Sequence, residues 1–282
     1  MQVGEVIRVA IEALRANKLR SFLTMLGIVI GVSAVIAMVA LGTGAQKSVN
    51  ERIASLGTTL LTVVPGQQRG FGGVSSAADR APLTVDDAVA IEERATSAAG
   101  VQPEMTRQLQ VQYLSNNVNT SISGVTANYP QVRNFQIETG RMFTAGEDAA
   151  RKRYAVLGPQ VVADLGILSP EGLIGESVRI GSVQFEVVGV LASKGQGAGF
   201  NNPDDQVLIP LQTARYRLIG SDRLRTISVL AATEDDIPTT MAEIQKALRR
   251  THRLRTGQAD DFTIRSQADF LSTLGETTQV FT

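Results

Sequence analysis

The sequence predicts an α+β protein in which one N-terminal transmembrane helix precedes a globular domain carrying a β-rich insertion. Three observations lead there. Ser21–Gln46 (SFLTMLGIVIGVSAVIAMVALGTGAQ) is a run of 26 residues without a charge. Beyond it, β-branched apolar runs alternate with helical periodicities. Between about residues 127 and 223 the rhythm changes to short strands separated by turns and small helical pieces. Composition narrows the classes further. The chain has 282 residues, 27 Lys and Arg against 27 Asp and Glu, one His, no Cys and no Trp. A balanced charge argues against a nucleic-acid binder that works by blanket electrostatics. Without cysteine there is no disulfide scaffold, thiolate nucleophile, Cys-ligated zinc or iron–sulfur cluster. A hydrophobic share of 43% against 19% charged residues is not the profile of a disordered chain.

As a helix, Ser21–Gln46 is about 39 Å long, enough to cross a hydrocarbon core of about 30 Å. Eleven Phe, Leu, Ile or Val residues between Phe22 and Leu41 favour insertion by roughly 3–7 kcal/mol, with no charge to offset them. A cleaved signal peptide is the rival reading, with small residues at Ala40, Gly42 and Gly44, but its apolar region would run to only about 7–15 residues. Arg8, Arg15, Lys18 and Arg20 precede the span, so the positive-inside bias puts the N-terminus in the cytoplasm and the bulk outside. Val3, Val6, Ile7, Ala10, Ile11 and Leu14 form one apolar face, fitting an amphipathic helix on the inner membrane surface or against other protein. Gly27 and Gly31 make a small-xxx-small pair that admits a neighbouring helix, from another copy or another span.

After the span, Thr58–Val64 reads as a strand ending at Pro65–Gly66, and Gly66–Pro82 as a long Gly- and Ser-rich loop. Thr84 with Asp87 three residues on predicts a capping-box start for a helix reaching about Ser97. Gln108–Leu114 and Val118–Val125 look like paired strands around a Ser115–Asn117 turn. Short strands follow at Ala155–Leu157, Ser177–Ile180, Gln184–Leu191 and Gln206–Pro210, with a hairpin signal at Ile180–Val183. Gly195–Asp205 (GQGAGFNNPDD) is a second Gly-rich loop. Arg225–Ala231 returns as a strand, Thr239–Leu254 as a helix, Asp261–Ile264 as a last strand and Ser266–Leu274 as another helix.

A catalytic or cofactor site does not emerge. Gly42–Ser48 superficially resembles a phosphate loop, but Gln46 and Leu41 stand where a Walker A needs glycine. His252 is the single histidine, among Arg249, Arg250, Arg253 and Arg255, and reads as a solvated residue at a helix C-terminus. The basic cluster itself reads as a solvated face. Paired acids such as Asp86–Asp87 and Asp260–Asp261 read as caps or solvated faces rather than a glycosidase pair. Asn119-Thr120-Ser121 matches a glycosylation acceptor with nothing else in its favour.

Several stretches in order resemble one family. Residues 14–46 (LRANKLRSFLTMLGIVIGVSAVIAMVALGTGAQ) look like the first span of MacB-like ABC-transporter permeases, within the FtsX-like permease superfamily. The likeness continues through SLGTTLLTVVPGQ (55–67), LTVDDAVAI (83–91), GRMF (140–143), VLG (156–158), Gly189–Asp205, VLIPL (207–211) and DFTIRSQADF (261–270). The resemblance implies a porter-like α+β domain of the MacB-type periplasmic core kind, with an inserted β-rich subdomain called Sabre. On that template, 1–20 is a cytoplasmic amphipathic helix and 21–46 the transmembrane helix. Residues 47–126 and 224–265 are the two parts of the porter-like subdomain, 127–223 the Sabre-like insertion, and 266–282 a stalk leading to a missing second span.

The resemblance also implies a function. Two permeases pair in the bacterial inner membrane, and ABC ATPase domains drive their outer parts together and apart, a coupling called mechanotransmission. Efflux members work with a periplasmic adaptor and an outer-membrane channel; other relatives extract lipoproteins or activate cell-wall hydrolases. The N-terminal ATPase domain fused in MacB itself is missing here, so a separate subunit would bind the ATP and this chain would be neither an enzyme nor a cofactor binder. The chain is then expected to be the N-terminal part of a longer permease. Gly27 and Gly31 would serve span packing. Gly70 and Phe71 in one loop and Gly195, Gly197, Gly199 and Phe200 in the other are candidate partner contacts, because long Gly-rich loops in compact domains tend to be functional or disordered. The alternative is a single-span anchored sensor or binding protein, which requires a native stop at Thr282.

Overall fold

A computed structural model describes Gly4, Arg8 and residues 18–56, 59–66, 81–195 and 202–266; for 41, 43 and 45–56 it describes backbone only. The chain divides into two units, Met1–Ser55 and Leu56–Thr282. The amphipathic segment before Lys18 is described only at Gly4 and Arg8, both helical, and the stalk beyond Ser266 lies outside the described residues.

The first unit is dominated by helix α1, Lys18–Leu56. Its stretch Lys18–Ala40 is long and apolar enough to cross a membrane, and none of it is buried within the protein. It has no polar stripe to distinguish an inner from an outer face, as expected of a helix whose surroundings are lipid rather than water on one side and core on the other. Near its start, the Thr24 hydroxyl Oγ1 is kept from facing hydrocarbon unbonded by donating to the carbonyls of Arg20 and Ser21 at 3.0 Å each. Gly42–Ser48 lies within α1, so it forms no phosphate-cradling loop.

The second unit is built on one ten-stranded sheet. Its meander half comprises β1 (Leu60–Pro65), β3 (Ala98–Tyr113), β4 (Asn116–Val125), β11 (Thr226–Ala231) and β12 (Phe262–Ser266), in the order β12-β1-β11-β3-β4, all antiparallel. Two helices, α2 (Val85–Arg94) and α7 (Ile237–Thr251), lie against each other and supply Ala88, Ile91, Ile244 and Leu248 to the same core as Val101, Ile227 and Val229 of the sheet. A two-strand ladder pairs β2 (Leu83–Thr84) with β10 (Arg223–Leu224) at the start of α2. As the capping-box spacing predicts, Thr84 donates both its amide and its hydroxyl to Asp87 Oδ2, each at 2.9 Å.

The remaining strands are β5 (Ile137–Gly140), β6 (Tyr154–Leu157), β7 (Ser177–Ile180), β8 (Val183–Leu191) and β9 (Gln206–Pro210). Their pairing path returns on itself. From β4 it runs parallel to β9, antiparallel to β6, parallel to β8 and antiparallel to β7, and β7 pairs back onto the end of β3 at Val111 and Gln112. Six strands thereby close a barrel, which removes the unpaired edges an open insertion would present. Alternation along the strands fills both faces. Ala155, Leu157, Val187, Val207 and Ile209 join the main core, while the intervening Val156, Val188 and Leu208 form a second cluster with Tyr129, Phe135 and Phe143. That outer cluster is covered by α3 (Tyr129–Val132) and the segment through α4 (Ala145–Ala149). Helix α5 (Pro159–Asp164) follows β6, and after β9 a short turn α6 (Leu211–Thr213) widens into a π-helical segment, Ala214–Ile219.

Gly124 shows why that last segment can approach the barrel: a Cβ there would stand 2.3 Å from the Ala214 Cβ. Two details differ from the sequence expectation. The β3–β4 turn is Leu114–Ser115, with Leu114 at φ 51°, so Asn116 and Asn117 already belong to β4. And β3 begins at Ala98 rather than near Gln108, because its first half is drawn into the sheet by β11. Pro103 is tolerated there since β4 pairs only from Glu104 onward, leaving one edge of the strand without a ladder to break.

Candidate functional site

The strands that follow α1 and close the described chain lie side by side. β1 begins four residues after α1 ends, and it pairs antiparallel with β12 from Leu61↔Ser266 to Pro65↔Phe262. Immediately after β1, Gly66 donates its amide to the Asp261 carbonyl at 2.8 Å. The first strand of the domain and its last described strand are therefore one ladder, and its foot is Asp261.

Asp261 is held in turn by His252. Sequence reasoning placed His252 in solvent; the structure instead covers most of its side chain, leaving 9% of it exposed on a half-buried residue. Its Nδ1 lies 2.7 Å from Asp261 Oδ1 and its Nε2 3.2 Å from Asp87 Oδ2. It does sit at the C-terminus of α7, as expected, but the end of that helix packs over the start of α2, so the ring is enclosed and edge-on to Phe262 at 6.0 Å. The hydrogen bond to Asp87 raises the imidazole, burial works against it, and Asp261 adds to the rise; the result is about 9. Burial alone would push Asp87 up, but hydrogen bonds from His252, Thr251 and Thr84 outweigh it and hold the carboxyl at about 2. The group is thus an imidazolium between two carboxylates, donating from both nitrogens.

The basic cluster around it is likewise not a plain solvated face. Arg249 pairs with Asp260 and donates to the carbonyls of Gln258 at 3.0 Å and Arg255 at 2.8 Å, and Gln245 reaches Asp260 at 2.6 Å. These bonds fasten the loop 252–261 that carries Asp261 into β12.

The other predicted site residues fall in three places. Gly27 and Gly31 lie on α1 with open space where a Cβ would stand. Gly70, Phe71, Gly197, Gly199 and Phe200 lie outside the described residues. Gly195 is described, at φ +78°, at the neck of its loop. There Asp204 accepts from Ser193 Oγ at 2.6 Å, the Lys194 amide at 2.9 Å and the Gly195 amide at 3.1 Å, closing the base of the Gly-rich segment. Lys194 Nζ donates to the Arg133 carbonyl at 2.8 Å and stands 4.1 Å from the centre of the Phe135 ring. Burial and the neighbouring Arg133 lower its ammonium to about 8 against the pull of Asp204. Asn119-Thr120-Ser121 is part of β4, with Thr120 buried and donating to Asp205 at 2.5 Å. Among the described residues no three His, Asp or Glu side chains gather as they would to hold a metal ion.

The architecture defines a class: among the described residues, an α+β domain follows one apolar helix, with the domain's first strand and last described strand paired as neighbours. Residues 21–247 match the MacB-like periplasmic core domain, and the chain belongs to that family. It is 37% identical over 270 residues to the macrolide export ATP-binding/permease protein MacB of Bdellovibrio bacteriovorus, covering 95% of this chain and 41% of that protein. With the same protein of Chlorobaculum tepidum it shares 36% over 277 residues, 96% of this chain and 41% of the relative. The chain thus spans about two fifths of the length of these relatives. In fold it matches the periplasmic region of MacB from Actinobacillus actinomycetemcomitans with a TM-score of 0.65 at 19% identity, covering 81% of this chain and 98% of that one. The extracellular domain of YknZ, a noncanonic ABC-type transporter from Gram-positive bacteria, matches at 0.59 with 18% identity, covering 73% and 100%.

Proposed function

We propose that this chain is the first span and outer domain of a permease subunit in a MacB-like ABC exporter or mechanotransmission complex. A separate ABC ATPase subunit binds and hydrolyses ATP in the cytoplasm. Two permease copies pair, and their outer domains convert that cycle into movement in the periplasm, for efflux or for export of a lipoprotein or peptide. The N-terminus faces the cytoplasm; efflux would add a periplasmic adaptor and an outer-membrane channel, met through the loops around 66–82 and 195–205.

The observation that carries the reading is the β1–β12 ladder. A force arriving through α1 enters β1, and β1 is bonded directly to the strand by which the described chain ends, so a displacement of one is transmitted to the other without crossing the domain. The Asp87–His252–Asp261 group stiffens that ladder against α2 and α7. The test uses the full native permease with its ATPase in lipid nanodiscs, any cysteines outside residues 1–282 replaced by serine, spin-labelled at Arg265→Cys on β12; residues 1–282 themselves contain no cysteine. Electron-paramagnetic distance measurement should find a label–label distance between two copies that changes between ADP and a non-hydrolysable ATP analogue. Absence of an inter-copy distance, or one indifferent to nucleotide, would overturn the reading.

A further inference from the structure

On the barrel, away from the β1–β12 ladder in the sheet order, a cleft of about 420 Å³ is lined by Arg153, Arg179, Arg217, Ser182, Val183 and Gln184. The three arginines come from three different elements: the loop before β6, strand β7 and the π-helical segment. Among the described residues none of the three makes an ion pair. Of the carboxylates on the adjoining elements, Glu147 is paired with Arg141 and Asp148 accepts the Gln212 amide at 2.8 Å, while the exposed Glu186, two residues along β8 from Gln184, makes no ion pair among the described residues.

The walls are held in place before anything binds. Arg151 stacks on the exposed Tyr216 ring at 3.9 Å and Arg215 approaches the same ring at 5.2 Å, tying the loop that carries Arg153 to the segment that carries Arg217. Thr213 Oγ1 donates to the Lys152 carbonyl at 2.7 Å, a second fastening between the same two pieces. Arg179 is steadied by Gln112, its neighbour across the β3–β7 ladder. Arg107 donates to the Leu218 carbonyl at 3.4 Å, and a Cβ placed on Gly181 in the β7–β8 turn would stand 4.0 Å from Leu218 Cδ2. Such π-helical segments recur at functional sites because the widened turn re-aims the side chains that follow.

Three guanidinium groups around one concavity repel one another, and among the described residues no carboxylate pairs with any of them. Their planar forks match the oxygens of phosphate or carboxylate, and the charge of about −1.5 to −2 on a phosphate monoester offsets three cations better than a single carboxylate does. A space of about 420 Å³ exceeds a bare anion and falls in the size range of small-molecule pockets. We infer that this cleft binds a phosphate monoester borne on a larger body, the phosphate held by Arg153, Arg179 and Arg217 and oriented by the Ser182 hydroxyl and the Gln184 amide. The body is either a soluble phosphate ester or a lipid headgroup.

The experiment is isothermal titration calorimetry on the full chain in phosphatidylcholine nanodiscs, with inorganic phosphate, glycerol 3-phosphate and dihexanoyl phosphatidic acid as probes. Saturable binding of a phosphate ester is expected. It should weaken about tenfold or more in Arg153→Gln and in Arg217→Gln, partly recover in Arg153→Lys, and be unchanged in Arg250→Gln, an exposed arginine on α7. Since Arg153 and Arg217 are exposed, their variants should unfold at the parent temperature, which circular dichroism checks. Tighter binding of phosphatidic acid than of glycerol 3-phosphate identifies a lipid source, and equal binding a soluble one. No saturable binding of any probe up to about 10 mM, or equal losses in Arg250→Gln, would overturn the inference.

Discussion

Gly66 and Asp261 are in backbone contact: the Gly66 amide donates to the Asp261 carbonyl at 2.8 Å, and a Cβ on Gly66 would lie 2.6 Å from the Asp261 carbonyl carbon. The obstacle is main chain, which no rotamer change relieves. Gly66→Ala must therefore push β1 and the loop before β12 apart, and overpacking of this kind costs about 1–3 kcal/mol. Urea denaturation followed by circular dichroism should show the midpoint lowered. An unchanged midpoint would mean that the ladder's foot is not rigid.

His252 makes the same junction depend on pH. Its folded pKa of about 9 lies above the ordinary value of 6.5, so its contribution is complete below 6.5 and is lost as pH rises through 9. Asp87 behaves oppositely: its contribution is complete above 3.8 and is lost as pH falls through about 2. The group is strongest between about pH 4 and 6.5. His252→Ala removes the shared cation and leaves two enclosed carboxylates, a loss of roughly 3 kcal/mol. In His252→Gln the alkaline decline attributable to this site should vanish while the rest of the profile persists. Urea midpoints measured from pH 5 to 10 distinguish the two; parallel profiles for parent and His252→Gln would refute the assignment.

Ser228 and Gln102 face each other across the β11–β3 ladder, both fully buried, and neither the Ser228 hydroxyl nor Gln102 Oε1 has a partner. An enclosed hydroxyl that bonds to nothing carries its desolvation cost uncompensated. Ser228→Ala is therefore expected to leave stability unchanged or raise it by up to about 1 kcal/mol, whereas most buried substitutions lower it. A drop of the urea midpoint would reveal a partner for that hydroxyl.

What was legible in the sequence was local. The span, the Thr84–Asp87 cap and the Ile180–Val183 hairpin each depend on residues within a turn or two of one another, and all three formed as expected. The first half of β3 was hidden because Gly100 and Pro103 disguise a strand whose pairing is decided by β11, far along the chain. Barrel closure was hidden for the same reason, since the parallel β4–β9 and β6–β8 ladders leave no mark in either strand alone. His252 was misplaced because its environment is made by Asp87 and Asp261, and a histidine in an arginine-rich helix end carries no signal that a distant carboxylate will cover it. The arginine cleft escaped notice because Arg153, Arg179 and Arg217 are each ordinary surface residues until the barrel gathers them.

The Asp204 bonds at Ser193, Lys194 and Gly195 close the base of the second Gly-rich loop independently of what lies between. Excising residues 196–201 and joining the ends with two glycines should then leave the thermal midpoint within about 1–2 °C of the parent, since closing a shorter loop changes the entropy little. If the loop is a partner contact, affinity for the adaptor, measured by biolayer interferometry, should fall. Unchanged affinity would remove this loop from the proposed interface.

Gly27 and Gly31 separate packing within the chain from packing against something else. A Cβ at either position meets nothing within 4 Å, so a larger side chain costs the described structure no contact. A substitution such as Gly27→Leu with Gly31→Leu should also preserve insertion, because leucine favours the bilayer more than glycine does. Any loss must then come from a helix that approaches this face, where small residues allow close contact. In the full native permease, the double variant is expected to insert and keep the parent urea midpoint of its outer domain. It should yield less chemically cross-linked dimer or lose nucleotide-dependent movement of the label at position 265. Dimer and movement both at parental levels would show that this glycine face meets only lipid.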